Sequence, residues 1–403
     1  MSLARAVARI VCALVCTAAT ARAQSGRELN FIPIAGGDSD VGIGAGIVGD
    51  LAALAPGRPP YRWRLEANTF TTVKVRDGHV ILPFQDYWLE LVAPRWGPGG
   101  RLRPDLRAAF TDEVTLKYYG MGNASPPQAA TESIESLEYA RLHPTLSAEL
   151  RVRVASAFYL LGGTAYTYNR LTVGPETRLG RDQAMGPPEV QALLGSFGRH
   201  GVELLTLEAQ WDTRDDEIVT RHGQFHTLRF RGSPRLGSSM PYAYERLTLT
   251  TRFYVTVVER WLRVSLRAVG DALFGDPPFY ELARFDETPA VGGGKAVRGV
   301  PAQRYYGEAK VFGNVEAVSE LWPFTIKGKK LVLGAAAFFD AGRSWTELAR
   351  RHPELDGTGL GLKYGVGGGL RLQQGQTFIV RFDLAWSPDA TPIGAYFAAG
   401  QIF

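Results

Sequence analysis

The residues in this chain best suited to chemistry are one arginine and one aspartate. Arg298 lies in Val297-Arg298-Gly299, within a segment punctuated by Gly292-Gly293-Gly294 and by Pro301, where neither helix nor strand is expected. Asp340 follows an apolar run over residues 331–339 and sits in Phe338-Phe339-Asp340-Ala341-Gly342. Side chains alternate along a strand, so Asp340 shares a face with Val332, Gly334, Ala336 and Phe338. Most of those are small. They leave room for a loop to fold inward and set the Arg298 guanidinium against Asp340, a charge-assisted fork on a carboxylate. That is the chemistry of a latch, and it makes or breaks no covalent bond.

Other candidates are weaker. Gly44-Ala45-Gly46-Ile47-Val48-Gly49 has the letters of a dinucleotide fingerprint, but Gly42, Gly44 and Gly46 alternate with Val41, Ile43, Ala45 and Ile47, which is strand periodicity. The same device recurs at Gly365, Gly367 and Gly369. Glycine weakens a strand unless something passes close to the backbone, so both rows read as inward grooves for a folded-in loop or a sharply curved wall; plain tolerance for small residues is the other reading. The six histidines show neither metal-ligand spacing nor pairing with an acid in a motif, so no metal or other cofactor is expected. No Gly-x-Ser-x-Gly elbow occurs, although a serine and a histidine brought together across strands could still form a lipolytic site.

The elements that must position the latch are strands. No apolar stretch reaches the length of a membrane helix; instead, segments of alternating polar and apolar residues are separated by Gly, Pro and Asp clusters. In 61–75, Tyr61, Trp63, Leu65 and Ala67 oppose Arg62, Arg64, Glu66 and Asn68. Read in order, from 28–35 and 41–54 through to 377–386 and 393–403, the segments make sixteen strands, an even number that puts both termini on one side. The connections at 154, 259–260 and 373–376 are short, whereas 174–200, 276–306 and 344–359 are long and fall on the opposite side. The expected fold is all-β: a sixteen-stranded antiparallel transmembrane barrel with one long loop folded inward.

Residues 1–23 read as a signal peptide, with Arg5 and Arg9, an apolar core over 10–15, and Ala21-Arg22-Ala23 before a cleavage point at Gln24; the barrel then occupies 24–403. Both cysteines, Cys12 and Cys16, fall inside the leader, so the mature chain has no thiol chemistry. Losing Arg5, Arg9 and Arg22 lowers the formal charge from +5 to +2, which removes the argument for a nucleic-acid partner. Inward faces carry Arg62, Arg64, Arg141, Arg151, Arg246, Arg252, Arg263, Arg267 and Arg381 against fewer acids such as Glu66, Glu149, Asp271 and Asp383. An open lumen of that kind favours anions; internal ion pairing is the alternative use of the same residues.

The Val-Arg-Gly loop followed by a Phe-x-Asp-x-Gly strand resembles the bacterial surface antigen superfamily, the BamA/TamA-type outer-membrane assembly-factor barrels. Tyr118-Tyr119-Gly120-Met121-Gly122-Asn123, Asp212-Thr213-Arg214-Asp215 before Gly223, and the terminal Phe403 carry the likeness further, while Val300 and Thr220 depart from the family pattern, which has an aromatic and a proline there. The resemblance implies a loop arginine, Arg298, held by Asp340 and by a glutamate on the intervening strand, for which Glu316 is the match. It implies Phe403 as a signal for the barrel's own assembly machinery. It further implies a place in the bacterial outer membrane, contact with its lipid, and a non-enzymatic role in inserting or translocating proteins or lipids. Members with assembly roles usually carry periplasmic domains, for which 24–28 leaves no room, so a separately encoded periplasmic partner is one expectation and a monomeric passive anion pore another.

Overall fold

The computed structural model describes residues 26–38, 41–53, 61–129, 131–216, 219–286, 291–326, 329–374 and 378–399; the expected leader 1–23 and Phe403 lie outside them. The chain is a closed barrel of sixteen antiparallel strands. They are β1 (Arg27–Asp38), β2 (Gly42–Ala53), β3 (Trp63–Arg76), β4 (His79–Ile81 with Phe84–Val92), β5 (Leu102–Lys117), β6 (Glu138–Leu142 with Thr145–Arg153), β7 (Phe158–Thr172) and β8 (Arg199–Asp212). The second half comprises β9 (Gly223–Ser233), β10 (Ala243–Val258), β11 (Leu262–Asp276), β12 (Ala309–Ile326), β13 (Lys329–Trp345), β14 (Lys363–Gln374), β15 (Phe378–Ser387) and β16 (Ala390–Ala399).

Two strands are broken where the sequence places a proline, which has no N–H for the ladder. The gaps fall at Leu82-Pro83 and His143-Pro144, yet the strands run on: the Pro83 carbonyl accepts from Val114 N–H at 3.0 Å and the Pro144 carbonyl from Tyr168 N–H at 3.1 Å. Asp77-Gly78 joins β3 to β4, both residues at positive φ (48° and 77°), as a two-residue hairpin turn requires. The barrel closes between β1 and β16 at Gly37–Phe397 and Asp38–Tyr396, the pairs recorded among the described residues, whereas β1 and β2 pair continuously from Arg27–Ala53 to Asp38–Gly42.

The period-two pattern sorts side chains as the alternation demands. On β10, Leu247, Leu249, Phe253 and Val255 are exposed on the outer wall, while Tyr244, Arg246, Thr248 and Tyr254 are buried inside. Arg62 lies exposed just ahead of β3. No described helix is long and apolar enough to cross a membrane, which says nothing about crossing by strands.

The interior is apolar at the end where the long connections meet. Helices α1 (Arg178–Met185) and α2 (Pro188–Leu194) lie between β7 and β8, α3 (Phe279–Leu282) between β11 and β12, and α4 (Pro353–Asp356) between β13 and β14. Thr177 caps α1 by accepting from Gly180 N–H at 3.1 Å, and α2 starts on Pro188, a residue suited to a first turn. Their apolar side chains join those of the wall in one cluster that includes Tyr118, Tyr139, Leu179, Leu194, Tyr244, Leu273, Phe279, Tyr280 and Tyr306. Each large side chain so buried contributes on the order of 2 kcal/mol, which is how loops can stay folded inside a lumen that would otherwise hold water.

Candidate functional site

The β11–β12 connection runs from the cap down into the barrel and carries Arg298 to a fully buried position. Register builds the receiving wall. Arg267, Asn314, Asp340 and Gly365 form one inward row across β11 to β14, and Glu316, Phe338, Gly367 and Ala385 lie on a neighbouring row. Arg298 Nε donates to Asp340 Oδ2 at 2.7 Å and Nη2 to Asp340 Oδ1 at 3.0 Å, a two-pronged fork. Its backbone N–H adds a third bond to Oδ2 at 3.1 Å. Nη1 reaches Glu316 Oε2 at 2.8 Å and Asp383 Oδ2 at 3.3 Å. The guanidinium lies flat over the Phe338 ring, 3.3 Å from its centroid.

The structure therefore brings Arg298, Asp340, Glu316 and Phe338 together. Val297 packs with Val269, Phe285 and Phe312, and Val300 fills the same cluster at the position where an aromatic was expected. Gly299 has φ 93°, and a Cβ there would lie 2.9 Å from the Trp386 carbonyl carbon, so a side chain is excluded on both counts. A Cβ at Gly342 would lie 2.8 Å from the Val311 carbonyl oxygen of β12 and 3.2 Å from the Val291 side chain of the loop.

Sequence reading places Arg381 and Asp383 on an inward face, with internal ion pairing as one use of them, but does not name Arg371. Arg371 and Arg381 face each other in register, an arrangement that like charges disfavour. Asp383 reconciles them: it accepts from Arg381 at 3.1 Å and from Arg371 on its other oxygen, while Arg371 also bonds Glu316 at 2.8 Å. Three guanidinium groups thus meet three carboxylates, Glu316, Asp340 and Asp383, in a closed network. The signal available in the sequence was Arg381 and Asp383 two apart on an inward face; the register that brings Arg371 alongside was not available.

The loop backbone is gripped as well. Asn314 donates to the Ala296 carbonyl at 2.7 Å and to Asp340 at 2.8 Å, Arg381 donates to the Gly294 carbonyl at 3.0 Å, and Tyr396 Oη accepts from Gly299 N–H at 2.9 Å. The glycine rows have different uses. A Cβ at Gly365 would lie 1.8 Å from the Arg298 carbonyl oxygen, so it makes room for the loop, whereas one at Gly367 would meet the Leu384 carbonyl oxygen of β15 at 2.1 Å and the Phe338 ring at 2.6 Å. At Gly44 and Gly46 the close atoms belong to Phe70 and Thr69 of β3, so that row accommodates the wall itself.

Above the latch, Tyr118-Tyr119-Gly120-Met121-Gly122-Asn123 lies against the connection, with Met121 bridged to Tyr306 and Asn123 donating to the Gly361 carbonyl at 2.7 Å. In the β8–β9 turn, Asp215 accepts from Arg221 N–H at 2.9 Å and Thr220 Oγ1 bonds the Asp216 carbonyl at 2.7 Å, which fixes the turn without proline. Glu189, His352 and Glu354 bring potential ligand atoms within 4.8 Å of one another, a grouping across two loops that no spacing could disclose; His352 is already paired with Glu347 at 3.0 Å and Glu354 at 3.3 Å.

Helix α3 has its own anchor. Arg246 of β10 reaches Glu281 Oε2 at 2.7 Å and donates to the Glu281 and Arg284 carbonyls at 2.8 and 2.9 Å. Burial pushes the Glu281 carboxyl up, but Arg246, Arg141 and Arg284 outweigh it and hold it at about 2. A carboxyl depressed in the folded state stabilises fully above its unfolded value of about 4.3, and that contribution is lost as pH falls toward about 2. Melting temperature in detergent is expected to drop along this acid limb, and Glu281→Gln to flatten the drop; identical acid limbs for both proteins would exclude Glu281 as its source.

Residues 107–403 match the Omp85 superfamily domain. Among solved structures, the chain is similar to BamA from Haemophilus ducreyi lacking POTRA domains 1–3, with a TM-score of 0.62 and 13% identity over 94% of this chain and 71% of that one. It is also similar to CdiB from Escherichia coli (TM-score 0.56, 14% identity, 94% of this chain and 64% of that one). CdiB from Acinetobacter baumannii gives a TM-score of 0.51 at 12% identity, over 95% of this chain and 64% of that one. The chain thus spans less than two thirds of either CdiB chain, and at these identities the likeness is one of fold. No curated protein sequence matches it.

Proposed function

The chain belongs to the Omp85 superfamily, and from that premise we propose that it is an outer-membrane barrel that inserts or translocates another polypeptide, with the β11–β12 loop as its internal gate. In this reading the long connections face outward from the cell, residues 1–23 direct export, and Phe403 serves the barrel's own assembly. A periplasmic partner delivers the cargo, and the protein carries out no covalent chemistry.

The observation that carries the proposal is the buried Arg298 fork on Asp340, which secures a loop across the lumen without covalent attachment. A second observation links that gate to the barrel's seam. Tyr396 holds Gly299 and lies on β16 opposite Asp38 of β1, so loop release also frees a residue of the closing strand. A lumen that must open for cargo, and stay shut otherwise, needs a coupling of this kind.

One observation favours a second reading, a passive anion-preferring pore. Below the plug lies a cavity of about 320 Å³ lined by Arg103, Arg151, Arg214, Arg229, Arg252 and Arg267 against four carboxylates. Single-channel recording separates the two. The wild-type barrel in a planar bilayer is expected to show brief, small openings from a mostly closed baseline. Steady, anion-selective conductance would replace the gated-barrel reading with the pore.

A further inference from the structure

We propose that the outer wall carries a specific site for a phosphate-bearing lipid, under the β13–β14 connection. This rests on the membrane part of the reading above and not on the gate. Register defines the floor. Leu247, Ala272, Ala309 and Trp345 form an outward row across β10 to β13, and it is the last such row before β12 begins and β13 ends. The next row, Leu249, Gly270, Val311 and Arg343, faces the same way, and the one below it is Thr251, Ala268, Gly313 and Ala341. Ala272, Gly270 and Ala268 follow one another down β11, with Leu249 of β10 and Val311 of β12 on either side of Gly270, and make a furrow down the wall that an acyl chain can follow.

The roof is a built element. Arg343, outward by alternation yet buried, donates to the Gly359 carbonyl at 2.8 Å and also to that of Leu360, pinning the loop over the wall. Asp356 accepts from Thr346 N–H and Oγ1 at 2.9 and 2.7 Å. Between wall and loop lies a cleft of about 880 Å³. Of its acidic side chains, Glu347 lies 3.0 Å from His352 Nε2, Asp356 accepts from Thr346, and Asp271 faces the lumen on Lys310. Arg350 and Arg351 also line it; both are exposed, and neither has an ion-pair partner among the described residues.

Two uncommitted guanidinium groups at the head of an apolar furrow, with Trp345 at the level where strands meet loops, match an anionic amphiphile. The phosphate sits on Arg350 and Arg351, and the acyl chains follow Gly270 and Gly313. A neutral lipid leaves both arginines unused, and a free phosphate leaves the furrow unused.

Native mass spectrometry of the full chain in phosphatidylcholine nanodiscs doped with lipid A, or with lipid A stripped of its phosphates, tests this. The wild type should retain the phosphorylated lipid selectively. Arg350→Ala with Arg351→Ala should weaken retention about tenfold with melting temperature unchanged. Gly270→Leu alters no charge and its Cβ meets nothing closer than 4.0 Å, so it should weaken retention while leaving the barrel folded. Equal retention of both lipids, or wild-type retention by the arginine variant, would overturn the proposal. So would inorganic phosphate binding the detergent-solubilised protein as tightly as the lipid, with no effect of Gly270→Leu. None of these outcomes bears on the single-channel test of the gate.

Discussion

Arg298→Ala is expected to convert a barrel that opens briefly into one that conducts for long periods, and to lower its melting temperature in detergent. The wild-type guanidinium is buried and satisfies Asp340 with two side-chain bonds and Glu316 with one. Removing it leaves a carboxylate in a site from which water is excluded, with Asn314 as its remaining side-chain donor. Breaking a buried pair from one side costs roughly 3 to 5 kcal/mol. The loop's other grips near the latch include backbone carbonyls held by Arg267, Arg381 and Asn314 and one N–H held by Tyr396, hydrogen bonds that contribute about 1 to 3 kcal/mol each, and the packing of Val297 and Val300. The loss exceeds what any one of those hydrogen bonds supplies and weakens the seated state against release. Asp340→Ala should act in the same direction, since it leaves three guanidinium groups facing two carboxylates. Arg298→Lys should fall between, because an ammonium keeps the charge but cannot fork across Asp340 and reach Glu316 at once. Wild-type conductance and wild-type melting in both alanine variants would demote the latch to an incidental contact.

How far such a site can be read in advance depends on which distances the chain itself encodes. Strand alternation is local, so the inward placement of Phe338 and Asp340 followed from period two. Pairing Arg298 with Asp340 needed only an arginine on a loop and an acid facing a side with room for it. Arg371 needed more: which residue of β14 stands opposite Arg381 is fixed by register across a hairpin whose turn the sequence places at 373–376 without fixing its type. The cap was less legible still. Residues 174–200 read as a polar, proline-bearing connection, although Thr177 before a helix and Pro188 at a first turn are start signals. Helices of 8 and 7 residues are too short to show a periodic apolar face, and their burial comes from Tyr280, Phe279 and Tyr306, which arrive from another loop. Proline breaks in β4 and β6 show the converse: a local rule interrupts the ladder while the tertiary fold carries the strand through.

The sharpest separation of loop seating from charge comes from Gly365→Val. The site keeps all of its ionisable groups, and valine is well suited to a strand. The new Cβ, however, would lie 1.8 Å from the Arg298 carbonyl oxygen, a backbone atom that cannot swing aside as a side chain can. Either the loop lifts off β14 or the strand shifts, and β14 is paired with β13 at Asp340–Gly365 itself and with β15 from Val366–Trp386 onward. The loop should be what moves. Long openings like those of Arg298→Ala are expected, with a similar fall in melting temperature. Gly368→Ala is the control: it faces outward on the same strand, away from the loop, where the nearest atom to its Cβ is the Ala336 carbonyl oxygen at 3.2 Å, and it should leave conductance closed whatever its effect on melting. Because both changes unseat one loop, combining Gly365→Val with Arg298→Ala should add much less than the sum of the two singles. Full additivity in melting temperature would mean that the two residues hold different things, and that the passage of the loop over Gly365 is not what keeps the lumen shut.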